Sequence, residues 1–113
     1  MRVALSTILI SLSLSGCVSY KSEQDKTRDH LTQFAYANCL MWYFESKGYD
    51  TKDIRAISGG IVETSDISLE VFQAVALDVR SYHPDIKTKN NIDLNLLKCF
   101  HLKDYDKLSE DLK

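Results

Sequence analysis

The chain has 113 residues, with 14 Lys+Arg against 16 Asp+Glu interspersed along it and a formal net charge of −2. No basic stripe is present, which argues against nucleic acid as a partner. The length suffices for one small domain with a single core, and four glycines with one proline suit helices joined by short connections.

Residues 1–16 read as a leader. Met1-Arg2 precedes a serine-diluted apolar run from Val3 to Leu14, about the length of a signal-peptide core and too short to span a bilayer as a helix. Leu14-Ser15-Gly16-Cys17 resembles a bacterial lipoprotein box, in which the cysteine is lipidated and becomes the first mature residue. A plain secretory cut nearby is the alternative, leaving Cys17 as an odd thiol. Val18 stands where an inner-membrane retention signal places aspartate, so the resemblance implies lipid anchoring to the outer membrane on its periplasmic side, stable only with more than one acyl chain. Residues 17–26 are expected to form a polar tether, and 27–113 the helical domain. Without 1–16 the counts become 13 Lys+Arg and 16 Asp+Glu, a net charge of −3.

Residues 28–47 carry Leu31, Phe34, Ala35, Asn38, Met41, Trp42 and Glu45 at helical spacing, and Gly48 follows as a suitable stop. Tyr36, Leu40, Tyr43 and Phe44 occupy much of the remaining circumference. A helix apolar nearly all round is expected to be central, or to cover a partner subunit as well. Lys52 to Glu63 predicts a second helix with Ile54, Ile57, Ile61 and Val62 inward. Its Gly59-Gly60 pair costs roughly 1 kcal/mol per glycine against alanine, and close approach of another helix is the expected reason, with a break into two short segments as the alternative.

Ser68 reads as the N-cap of a third helix whose apolar face is Leu69, Phe72, Val75, Ala76 and Val79. Pro84 stops it. A fourth helix is expected from about Ile92 to Leu102, with Leu96, Cys99 and Phe100 inward, continuing or kinking into a terminal amphipathic turn. No strand-like alternation of useful length is visible, so the expected fold is all-α: a small bundle of four to five helices with one disulfide after a cleaved signal peptide.

His83-Pro84-Asp85 is the tripeptide of J-domain co-chaperones. That reading fails on its surroundings, because the preceding helix offers only Arg80 where a basic face is needed, and the tyrosine-leucine-glycine opening of a J-domain is absent. Export would also place the chain away from ATP. A helix stop followed by a solvated loop is the simpler reading.

Export makes Cys39 and Cys99 an obvious disulfide pair, and closing a loop of 60 residues contributes about 4 kcal/mol in the chain-entropy model. A metal site using Cys39, Cys99 and His101, or a Cys/His nucleophile pair, remains open, although two cysteines outside a C-x-x-C element are a weak zinc signal.

Three stretches, "YANCLMWYFESKGYD" at 36–50, "ISGGIVETSDISLEVFQAV" at 57–75 and "NIDLNLLKCFHLKDYDKL" at 91–108, together resemble type VI secretion amidase immunity proteins of the Tai type. The likeness lies in the order of a cysteine helix, a glycine-rich helix ending in an acidic residue, a leucine-glutamate helix start and a late leucine-x-lysine-cysteine helix. It implies a small helical periplasmic protein, commonly a homodimer, that blocks a papain-like peptidoglycan amidase by inserting a protruding segment into its cleft. Cys39 and Cys99 would be its structural disulfide, and it implies no catalytic residue, cofactor or metal in this chain. Ile61 and Val62 depart from the pattern, standing where an aromatic is common.

An inhibitor of a cleft enzyme needs a rigid projection with polar groups and a collar that excludes water. The first candidate is the loop after the third helix, with Tyr82, His83, Asp85, Lys87, Lys89, Asn90 and Asn91; the second is Glu63, Thr64, Ser65 and Asp66. Six of the eleven aromatics, Phe34, Tyr36, Trp42, Tyr43, Phe44 and Tyr49, fall within sixteen positions, which suits either a core or a homodimer interface. The rival functions are a structural envelope lipoprotein without a toxin partner and a small Cys/His enzyme.

Overall fold

The structure, a computed structural model, describes residues 22–104. The expected leader, residues 1–16, and the lipidation position Cys17 lie outside the described residues. Within them the fold is all-helical: α1 (Glu23–Lys47), α2 (Lys52–Glu63), α3 (Leu69–Ser81), α4 (Leu94–Phe100) and a closing 3-10 turn (Leu102–Asp104). The first helix starts earlier than its apolar period suggests. Ser22 caps it by accepting from the Asp25 N–H at 3.2 Å, and Glu23 and Asp25 place negative charge in its first turn. Glu23–Lys26 is therefore helix, not tether.

The end of α1 shows how local chemistry sets the next element's direction. Gly48 adopts φ 70°, a conformation glycine takes without the Cβ penalty. Its N–H donates to the Glu45 carbonyl at 3.1 Å, and the Tyr49 N–H donates to the Phe44 carbonyl at 2.9 Å, the two bonds of a Schellman stop. The Phe44 and Tyr49 rings meet edge-on at 6.0 Å, supplying the apolar contact that accompanies such stops.

α1 is the central helix, packing against α2, α3, α4 and the closing turn. The core joins Leu31, Phe34, Ala35 and Cys39 of α1 to Phe72, Val75 and Val79 of α3, with Cys99 and Leu102 sealing one side. Phe34 and Phe72 meet edge-to-face at 4.9 Å, a preferred aromatic geometry. Asn38 is buried, and its Oδ1 accepts from the Trp42 indole N–H at 3.0 Å. The Arg80 guanidinium lies 4.8 Å from the Trp42 ring centroid, a cation–π contact tying α3 to α1.

Several inward expectations are corrected. Ile57 is 56% exposed, because α2 packs on α1 along a narrow stripe in which only Ile54 is fully buried. Leu69 and Phe100 are each 58% exposed, Leu69 in the first turn of α3 and Phe100 edge-on to half-open Tyr36 at 5.8 Å. The second half of α1, Leu40 to Phe44, is half-buried rather than enclosed. Gly59 and Gly60 lie in an unbroken helix, and a Cβ at either meets nothing within 4 Å. No close helix approach explains them, and α2 is not broken into two pieces. Ser68 stands at the N-cap of α3 as expected, without a side-chain capping bond.

Candidate partner-binding surface

The first candidate loop connects α3 to α4, and both of its ends are held. At its start, Lys98 is buried on α4 and donates its ammonium hydrogens to the Val79 carbonyl at 3.3 Å and the Tyr82 carbonyl at 3.2 Å. The Val79 carbonyl, in the last turn of α3, also accepts from the Tyr82 N–H at 3.3 Å, and Tyr82 directly follows the helix, whose C-terminal end favours a cation. Tyr82 returns the connection, its hydroxyl donating to the His101 carbonyl at 3.3 Å. Burial holds the Lys98 amine below the usual lysine range.

At the other end, Asp93 caps α4, its Oδ1 accepting from the Asn95 N–H at 2.8 Å and the Leu96 N–H at 3.4 Å. Its other carboxylate oxygen pairs with Lys47 Nζ at 2.6 Å, at the end of α1. The hydrogen bond from Lys47, chief among the causes, holds the Asp93 carboxyl below its ordinary range and raises Lys47 above its own. Cys39 and Cys99 form the disulfide, with Cα atoms 5.6 Å apart, fixing α4 to the middle of α1. Both thiols are consumed by that bond, so neither is available as thiolate ligand or nucleophile while it is intact. Among the described residues no group of three His, Cys, Asp or Glu side chains stands close enough to hold a metal.

Between these anchors, His83, Asp85, Lys87, Lys89, Asn90 and Asn91 are all exposed, while Tyr82, Pro84 and Ile86 are half-buried. Tyr82 packs against the core cluster and so forms the base of the segment rather than its tip. Thr88 and Asn90 make a small local turn, the Asn90 N–H donating to Thr88 Oγ1 and that hydroxyl donating to the Asn90 carbonyl, each at 3.1 Å.

The second candidate, Glu63 to Asp66, is a tight helix stop. Thr64 donates its hydroxyl to the Gly60 carbonyl at 2.8 Å, and Ser65 Oγ accepts from the Ile67 N–H at 2.9 Å. Those two hydroxyls are engaged locally; Glu63, Thr64 and Asp66 are exposed and Ser65 is half-buried. The two candidates lie at opposite ends of the 13-residue α3, about 20 Å apart at 1.5 Å per residue, and do not form one surface.

Nothing in the sequence marks Lys98, His101 or Lys47 as holders of the loop. Only Asp93 leaves a local signal, an acidic residue directly before a helical apolar run. Exposed apolar groups flank the loop's second anchor: Ile92 is 41% and Leu94 52% exposed beside Asp93, and Tyr49 is 56% exposed near Lys47. Among the described residues no helix is long and apolar enough to cross a membrane. The chain matches no protein-family model, no curated protein and no solved structure.

Proposed function

We propose that the protein is a periplasmic immunity protein that binds and inhibits a type VI secreted peptidoglycan amidase, the segment after α3 entering the enzyme's cleft. The observation that carries this reading is the segment itself: an exposed polar stretch clamped at both ends by Lys98–Tyr82 and Lys47–Asp93 and stapled beside its base by Cys39–Cys99. A segment held in this way loses little conformational freedom on binding, so more of its contact energy is realised as affinity. The motif order described above supports the assignment of the target, and the leader with Cys17 supports placing the protein at the outer membrane. Exposed Ile57, Leu69, Leu77 and Phe100 supply apolar surface for a second copy, and the reading includes a homodimer.

The test mixes residues 18–113 with a type VI amidase from the same genome and follows peptidoglycan stem cleavage and complex formation. Stoichiometric inhibition together with a stable complex is the expected result. Absence of binding to every such amidase would leave an exported helical protein without a toxin partner.

A further inference from the structure

The main chain of residues 83–87 has an unusual property for a clamped segment. From Tyr82 to Thr88 the chain runs without a turn or bend, and Tyr82 begins it in extended conformation at φ −74° and ψ 112°. Pro84 fixes its own φ and drives His83 to extended backbone. Exposure alternates with period two, His83, Asp85 and Lys87 outward and Pro84 and Ile86 half-buried, which is the pattern of a strand lying with one face on the body. Yet among the described residues no N–H or C=O of residues 83–87 enters a hydrogen bond. Its groups are laid out as those of an edge strand, without a sheet.

Its two edges differ. In extended chain the main-chain groups of alternate residues point to the same side, so His83, Asp85 and Lys87 share one edge and Pro84, Ile86 and Thr88 the other. Pro84 lacks an N–H and interrupts the second edge. The first keeps three donors and three acceptors over about 13 Å. We propose that this His83/Asp85/Lys87 main-chain edge is the recognition element, adding as a strand to the wall of a cleft that holds an extended peptide. The inference rests on the proposed function, because an enzyme that cleaves peptide stems binds its substrate backbone in such a cleft. Main-chain hydrogen bonds then supply affinity, as in other strand-addition complexes.

A second copy of this chain is disfavoured as occupant. Antiparallel pairing of two such edges about their centre sets Asp85 against Asp85. Like charges directly opposite one another are destabilising.

The experiment compares Asp85→Ala and Lys87→Ala with Asp85→Pro and Lys87→Pro, reading amidase inhibition, Kd and Tm. The alanine variants keep the edge and lose the side chain; the proline variants lose an edge N–H that the free protein does not use. The expected result is binding within about threefold of wild type for each alanine variant and a loss of roughly tenfold or more for each proline variant, with Tm unchanged. Amide exchange on the wild-type complex tests the same point without relying on the variants' folding: the His83, Asp85 and Lys87 amides slow, and those of Ile86 and Thr88 do not. Equal losses in alanine and proline variants, or unaltered edge amides in a tight complex, overturn the main-chain mode and leave the inhibitor reading standing. Failure of the wild type to bind any amidase overturns both. A dimer that Asp85→Pro dissociates, without amidase binding, assigns the edge to a second copy and also overturns the proposal.

Discussion

The Lys98 ammonium donates to the Tyr82 main-chain carbonyl at 3.2 Å while the Tyr82 hydroxyl donates to the His101 carbonyl, so each element contributes a side chain to the other's backbone. The end of α3 and the end of α4 are thereby held together. Lys98→Met keeps the stem and removes the donor, leaving the Val79 and Tyr82 carbonyls without it. We expect a loss of about 1–3 kcal/mol in chemical denaturation and faster amide exchange at the start of the loop. Unchanged exchange there would show that the clasp does not hold the segment.

The disulfide joins the central helix to the seven-residue α4. Replacing Cys39 and Cys99 together with alanine is expected to lower stability by about 4 kcal/mol, and to release α4 and the loop before the α1–α3 core. Exchange rates checked residue by residue should rise first at Leu94–Phe100, while amides near Phe34 and Phe72 stay protected. Simultaneous loss of all protection would contradict this order.

The Lys47–Asp93 pair predicts an acid-limb effect. The Asp93 carboxyl is depressed chiefly by the hydrogen bond from Lys47, so its contribution is present above the unfolded value of about 4 and disappears as pH falls through the lower folded value. Lys47 is raised by the same bond, so its contribution is present below about 10.4 and is lost as pH rises through the higher folded value. Asp93→Asn retains a capping oxygen and removes the charge. Its Tm is expected to lie below that of wild type at neutral pH and to converge with it as pH falls through the depressed folded value, where the wild-type carboxyl is also protonated.

Open space around the α2 glycines predicts a gain. Gly59→Ala and Gly60→Ala insert a Cβ that meets nothing within 4 Å, and each should raise stability by about 0.4–1 kcal/mol by restricting the unfolded chain. The measurement is denaturant titration of the disulfide-intact monomer. A loss of stability at high protein concentration alone would show that a second copy packs against this stripe.

The helical elements were largely legible because their signals are local. The period of Leu31, Phe34, Ala35 and Asn38, the stop at Gly48 and the break at Pro84 all act within a few residues, and α2 and the end of α1 fall where those signals place them. The start of α1 lies earlier than the apolar period indicates, because Glu23–Lys26 is polar and a capped polar turn carries no apolar period. Ile57, Leu69 and Phe100 are exposed despite their apolar pattern, because apolarity states what a residue tolerates, whereas its exposure depends on where the neighbouring helix ends.

Taken by itself, the amino-acid sequence determined the all-helical class, the central place of the first helix and the pairing partners available to its cysteines, since propensity, periodicity and stop residues are properties of neighbouring positions. Only the tertiary structure decided that Lys98 would be buried against the end of α3, that Lys47 would meet Asp93 and that the main chain of residues 83–87 would find no partner among the described residues. Those relationships join positions 16 to 46 residues apart. They arise when packing of α1 against α3 and α4 brings distant groups within hydrogen-bonding reach, which no local pattern encodes.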